Sequence, residues 1–163
     1  MSKNGNAAEE GAGALSHYRA LERLYQSAAI NGVFPSRLTV TGEGRSRIDF
    51  AVTSAVYHAA GAAHGTIYFK MLDDAAFYAA NTMVTDHFLL TTAFNLHFTR
   101  PVQSGEVRAE GQWISGRRRV LVAEARLVDS EGEEIGRGTG TFMRSRIPLS
   151  SLPGYSDPAA RNP

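Results

Sequence analysis

The stretch His58-Ala59-Ala60-Gly61-Ala62-Ala63-His64-Gly65-Thr66-Ile67-Tyr68-Phe69-Lys70-Met71-Leu72-Asp73-Asp74-Ala75-Ala76-Phe77-Tyr78-Ala79-Ala80 has two parts. Between the two histidines only small residues occur, as in a loop. From about Gly65 the apolar positions Ile67, Tyr68, Met71, Leu72, Ala75, Ala76 and Ala79 recur with helical period. The opposite face carries Phe69, Asp73, Phe77 and Ala80. A helix apolar on nearly every side is expected inside a protein, wrapped by the rest of the chain. Asp73 is the exception: aspartate is a poor helix former and is rarely buried without a partner. A carboxyl between Phe69 and Phe77 suits general-base work. Asp74 lies at i+4 from Lys70, the spacing of an ordinary ion pair. Lys70 is also at i−3 from Asp73, so spacing alone leaves open which acid it serves.

The remainder of the chain frames that helix. Residues 1–13 are Gly, Ala, Asn and Glu-rich and read as disordered. Residues 14–30 form an amphipathic helix with Leu15, Tyr18, Leu21, Leu24, Tyr25 and Ala28 on one stripe, stopped by Asn31-Gly32. His17 falls beside the stripe and reads as solvated. Leu38 to Val52 alternates around Gly42-Glu43-Gly44, a hairpin pattern. After the central helix come Thr91 to Arg100, Val107 to Ser115, Val120 to Val128 and Ile135 to Arg144, the last three an antiparallel meander. In the first of these runs, alternation puts Phe94, Leu96 and Phe98 on one face and Thr91, Ala93, Asn95 and His97 on the other. Residues 147–163 hold four of the six prolines and read as a tail. One apolar helix and five or six antiparallel strands can bury each other only if the sheet curls round the helix. The expectation is an α+β fold with a single domain over residues 14–146.

Bulk properties exclude several functions. A net charge of +1 gives no electrostatic case for nucleic acid or an anionic membrane. No apolar run is long enough for a membrane span, and residues 1–10 lack the apolar core of a secretory signal, so the cytoplasm is the default address. With no cysteine, thiolate nucleophiles and cysteine metal sites are ruled out.

His64-Gly65 stands where the helix begins. A helix N-terminus presents unpaired N–H groups and positive partial charge, so the Gly65 amide is a candidate oxyanion donor and Asp73 the candidate base or nucleophile. Eight helical residues separate them, about 12 Å at 1.5 Å per residue. A reacting carbonyl needs both partners within about 3 Å. Two antiparallel copies of the helix across a two-fold axis meet that requirement, with Gly65 of one chain facing Asp73 of the other. The expectation is an obligate homodimer with composite sites.

The run His58…His64-Gly65…Asp73, followed by Thr91 on a strand, resembles the hotdog-fold thioesterases, in particular the phenylacetate-type branch. That family has Asn, then His-Gly-Gly six residues on, then Asp or Glu nine residues after the His. The resemblance covers about residues 35–145, including Arg100-Pro101-Val102 and Gly138-Thr139-Gly140-Thr141-Phe142. It implies a curved antiparallel sheet round a central helix and acyl-coenzyme A substrates. It also implies sites at dimer interfaces, commonly within tetramers. By position it implies that Asp73 activates water or attacks the thioester carbon, and that Gly65 N–H polarises the carbonyl. His64 shapes the loop or contacts substrate, and Thr91 assists the acid. His58 replaces the family's Asn, and Thr66 replaces its second Gly.

Competing readings attach to the same residues. His58, His64 and Asp73 lack a standard metal-ligand spacing, and no metal or cofactor is expected. His87 reads as a surface residue and His97 as structural. Gly136-Arg137-Gly138-Thr139-Gly140 lies in a strand and reads as sheet curvature, not a phosphate loop. Arg117-Arg118-Arg119 is a solvated turn or a contact for the phosphates of coenzyme A. A hydratase or dehydratase using His58 or His64 as base, and a non-catalytic acyl-coenzyme A binding module, are the alternatives. Tyr57, Phe69, Phe77 and Phe94 suit an aryl or medium-length acyl group, and are equally ordinary core residues.

Overall fold

The computed structural model describes residues 3–156. Its elements in chain order are α1 (Lys3–Ser27), α2 (Ile30–Val33), β1 (Ser36–Gly42), β2 (Arg45–Val52), α3 (Gly65–Asn81), β3 (His87–Phe98), β4 (Gly105–Ser115), β5 (Val120–Val128), β6 (Glu134–Pro148) and α4 (Pro153–Ser156). The six strands form one antiparallel sheet in the order β1-β2-β4-β5-β6-β3. Helix α3 touches every strand, so the sheet curls round it. The hairpin and the meander expected from alternation are present as β1-β2 and β4-β5-β6. Strand β3 crosses to the far edge and pairs only with β6.

The core sits between α3 and the sheet. Ile67, Met71, Leu72, Ala75 and Ala76 of the helix pack against Ile48, Ala109, Leu121, Ala123 and Phe142 of the strands, all at most 2% exposed. The small residues of α3 let helix and sheet approach closely. A side chain at Gly111 would place its Cβ 2.1 Å from the Ala75 carbonyl oxygen, so only glycine fits there. That carbonyl also accepts from the Ser46 hydroxyl at 2.6 Å, which ties helix to sheet.

Four expectations change. Helix α1 begins at Lys3, not near residue 14; alanine and glutamate between are good helix formers and no proline stops them. Residues 1–2 of the expected disordered segment lie outside the described residues. The segment after 146 is not simply a tail: β6 reaches Pro148, Leu149 is fully buried, and α4 packs against α1. Its residues 157–163 lie outside the described part. His17 is 6% exposed, not solvated; its Nδ1 meets the Tyr155 hydroxyl at 2.8 Å and its Nε2 the Asn81 carbonyl at 3.0 Å. Burial lowers its pKa, so the neutral ring clamps α1 between α4 and the end of α3. Finally, α3 is not covered on all sides. Phe69 is 42% exposed, and Leu90 and Phe98 of the β3 edge are 49% and 55% exposed.

Candidate active site

The loop before α3 is held by its backbone. His58 N–H bonds to Ala62 O, Ala63 N–H to Val102 O and His64 N–H to Val56 O. Gly61 makes the turn with φ +81°, a conformation side chains disfavour. This places His64 as the N-cap of α3. Its Nδ1 accepts from Thr66 N–H at 3.2 Å and contacts the Thr66 hydroxyl at 3.0 Å. Thr66, where the resembling family has glycine, thus takes part in the cap. Ile67 N–H bonds to His64 O, and the Gly65 N–H has no hydrogen-bond partner among the described residues. The cap leaves one free donor at the positive end of a buried helix. His58 lies apart; its Nδ1 accepts from Ala60 N–H at 3.0 Å and stiffens the loop.

Two turns on, the two acids separate. Asp74 pairs with Lys70, whose ammonium also donates to Asn31 Oδ1 at 2.7 Å and reaches the Tyr25 hydroxyl at 3.4 Å. Tyr25 in turn bonds Ser36 Oγ at 2.5 Å. Asp74 is therefore spent in a network that ties α3 to α1, α2 and β1. The helix stop at Asn31 gave no hint of this role. Asp73 has a different partner: the Thr91 hydroxyl donates to its Oδ1 at 3.0 Å. Burial pushes the Asp73 carboxyl up from 3.8 to about 6. The Thr91 hydrogen bond opposes the rise, the Asp74 charge adds to it, and Lys70 opposes it. Asp74 is also raised by burial, with Lys70 opposing.

A strand irregularity brings Thr91 to Asp73. Simple alternation sets Thr91 opposite to Phe94, Leu96 and Phe98. The register of β3 on β6 shifts between Thr91 and Ala93, so Thr92 is an extra residue. Thr91 consequently faces the helix along with Phe94, which stacks edge-on with Phe69 at 5.8 Å, and Phe98, which contacts Tyr68 at 5.0 Å. Thr92 turns aside and bonds Thr141.

The glycines of β6 have a particular use here. A Cβ on Gly138 or Gly140 would fall 2.4 or 2.5 Å from the Phe94 ring. Their backbone forms a floor on which that ring lies. The three arginines sit on the β4-β5 turn. Arg117 lies over the Trp113 ring at 5.2 Å and 3.9 Å from Glu43. Arg118 and Arg119 are exposed. Register links Thr91, Phe142 and Leu121 in one row, so this turn stands at the Asp73 end of the sheet. Gly65 belongs to the other end, where a Cβ added to it would lie 3.3 Å from the Phe98 ring. One chain thus brings Asp73 and Thr91 together, and His64, Gly65 and Thr66 together, but keeps the two groups apart.

Among the described residues no three of His, Asp and Glu converge as a metal-binding group, and no helix is long and apolar enough to cross a membrane.

Comparison with known proteins places this geometry. Residues 60–135 match the model of the thioesterase superfamily. A Saccharolobus solfataricus protein that bears the provisional name of an esterase is 25% identical over 101 residues, 62% of this chain and 67% of that protein. The PaaI protein from the phenylacetic acid degradation operon of Escherichia coli superimposes with a TM-score of 0.75 at 18% identity, covering 83% of this chain and 97% of its own. A thioesterase from Haemophilus influenzae gives a TM-score of 0.69 at 18% identity, covering 77% and 88%. The matched segment runs from the loop through α3 and β3 to β6, the part that carries His64, Gly65, Asp73 and Thr91. The chain thus has the α+β hotdog fold of these solved structures, and its residues 60–135 resemble the thioesterase superfamily.

Proposed function

We propose that this protein is an acyl-coenzyme A thioesterase whose sites form between two copies of the chain. The carrying observation is Asp73: a carboxyl raised to about 6 by burial, held by Thr91, beside an open aromatic face of α3. A base with its pKa near working pH combines a deprotonated population with real basicity. Asp73 takes a proton from water, and the hydroxide attacks the thioester carbon. The carbonyl oxygen becomes negative and accepts from Gly65 N–H. Collapse breaks the C–S bond, and the proton passes to the leaving thiolate, giving acid and free thiol. Direct attack by Asp73 is the covalent variant, with an anhydride that water then opens.

The homodimer reading is supported by the separation of the two groups and by the exposed apolar residues beside β3. Phe69 lies four residues from both Gly65 and Asp73. Antiparallel pairing that sets Gly65 against Asp73 of the partner subunit therefore puts Phe69 at the axis and covers it. The Arg117–Arg119 turn, at the Asp73 end, is suited to coenzyme A phosphates. His58 and His64 have their Nδ1 atoms engaged in local backbone caps, which supports structural roles for both over a hydratase base.

The test is thiol release from short, medium, long-chain and aromatic acyl-coenzyme A thioesters. Asp73→Asn is expected to lose about 100-fold or more. Gly65→Pro against Gly65→Ala isolates the oxyanion donor. Proline is well tolerated at the first position of a helix, and His64 already has the extended conformation (φ −67°, ψ 146°) that precedes proline. Both variants add a Cβ, but only proline removes the N–H. Equal activity of the two would reject the Gly65 role, and no turnover of any thioester would reject the thioesterase reading.

A further inference from the structure

On α3, Phe69 stands one turn after Gly65 and one turn before Asp73, about 6 Å along the axis from each. It is the largest exposed side chain between the proposed oxyanion donor and the proposed base. Its ring meets Phe94 edge-on, at 5.8 Å and 87°. Phe94 cannot retreat under load, because its ring already lies against the backbone of Gly138 and Gly140, with no room for even a Cβ between. The two rings and the glycine floor make a rigid wall: Phe94 is fixed from behind and Phe69 is fixed by Phe94. A soft aliphatic lining would yield to a longer chain, whereas a ring seated on main chain does not.

We propose that the Phe69–Phe94 pair, seated on Gly138 and Gly140, is the stop that sets how long an acyl group the site accepts. The inference rests on the acyl-thioester reading of this cleft and assigns its specificity. Phe94 defines the depth of the recess, and the two glycines define where Phe94 lies. Trimming Phe69 lengthens the recess. Adding a methyl at Gly140, 2.5 Å from the Phe94 Cδ2 atom, drives the ring toward Phe69 and shortens it.

The experiment uses inert S-alkyl-coenzyme A thioethers of short, medium and long chain, titrated against the full-length protein by calorimetry. These have no carbonyl to hydrolyse, so the readout does not depend on turnover. Wild type is expected to bind more tightly with length up to a limit and then to weaken. In Phe69→Ala the limit moves to a longer chain, with the long-to-short affinity ratio rising at least about tenfold, the effect of a methylene or more of new space. In Gly140→Ala it moves to a shorter chain. Phe69 lies outside the core of its own chain, so its variant folds even if Gly140→Ala does not. Phe69→Leu, which keeps apolar cover at the dimer axis, is expected to move the limit in the same direction by a smaller amount. A uniform change in affinity for all chain lengths, or no binding by wild type, overturns the proposal. Thiol release measured in parallel separates the two ideas. Turnover without a length shift rejects the stop alone, and a length shift without turnover rejects the thioesterase reading alone.

Discussion

Asp73→Asn should stabilise the fold while it disables the site. Burial raises the carboxyl from 3.8 to about 6. Between those pH values the folded chain binds a proton that the unfolded chain has released, so stability falls as pH rises through this window and stays low above it. At 1.36 kcal/mol per pK unit the full rise corresponds to about 3 kcal/mol. Water reaches part of the side chain, so we take about 2 kcal/mol as the cost at pH 8. Asparagine has the same shape, carries no charge, and keeps the Oδ1 acceptor that the Thr91 hydroxyl uses at 3.0 Å. The gain should be about 2 kcal/mol at pH 8 and near zero at about pH 3, where Asp73 is largely protonated in both states. Urea unfolding followed by circular dichroism measures it, with protein concentration fixed because an oligomer's apparent stability depends on it. A variant no more stable than wild type at pH 8, or equally stabilised at both pH values, would show that Asp73 is not held at an electrostatic cost.

Three further outcomes follow from the same geometry. Thr91→Val removes a hydroxyl that favours the ionised form of Asp73; the acid limb of the kcat/KM profile should move up by about one pH unit, the size of a partly exposed hydrogen bond to a charge. Mixing Asp73→Asn with Gly65→Pro after unfolding and refolding should restore about a quarter of wild-type activity, since half the dimers are mixed and each has one intact site; a site within one chain restores none. Gly111→Ala sets a Cβ 2.1 Å from the Ala75 carbonyl oxygen and should cost about 3 kcal/mol in urea unfolding through overpacking, whereas a fully stable variant would mean that helix and sheet are less closely apposed.

Much of the fold was legible because it rests on local periodicity. The apolar stripe Ile67 to Ala79 marks a buried helix, and alternation with glycine turns marks the hairpin and the meander. The candidate residues were legible because an aspartate inside an apolar helix and a His-Gly pair at its start conflict with plain packing. The burial of His17 was not, since a histidine beside the stripe is covered only when α4 folds back from far along the chain. Nor could spacing tell Asp73 from Asp74. Lys70 is within reach of both, and the choice is made by Asn31 and Tyr25, which hold its ammonium on the Asp74 side.

The sequence by itself therefore determined the central helix, the hairpin and the meander, the α+β class and the short list of chemical groups, all consequences of side-chain period and helix-end chemistry. Tertiary structure decided the placement of β3 at the sheet edge beside β6 and the bulge at Thr92 that turns Thr91 toward Asp73. It also decided the seating of Phe94 on Gly138 and Gly140. Each depends on the register between strands whose paired residues lie about 40 to 60 positions apart in the chain, and register is set by the summed fit of a whole interface, which no local stretch of residues encodes.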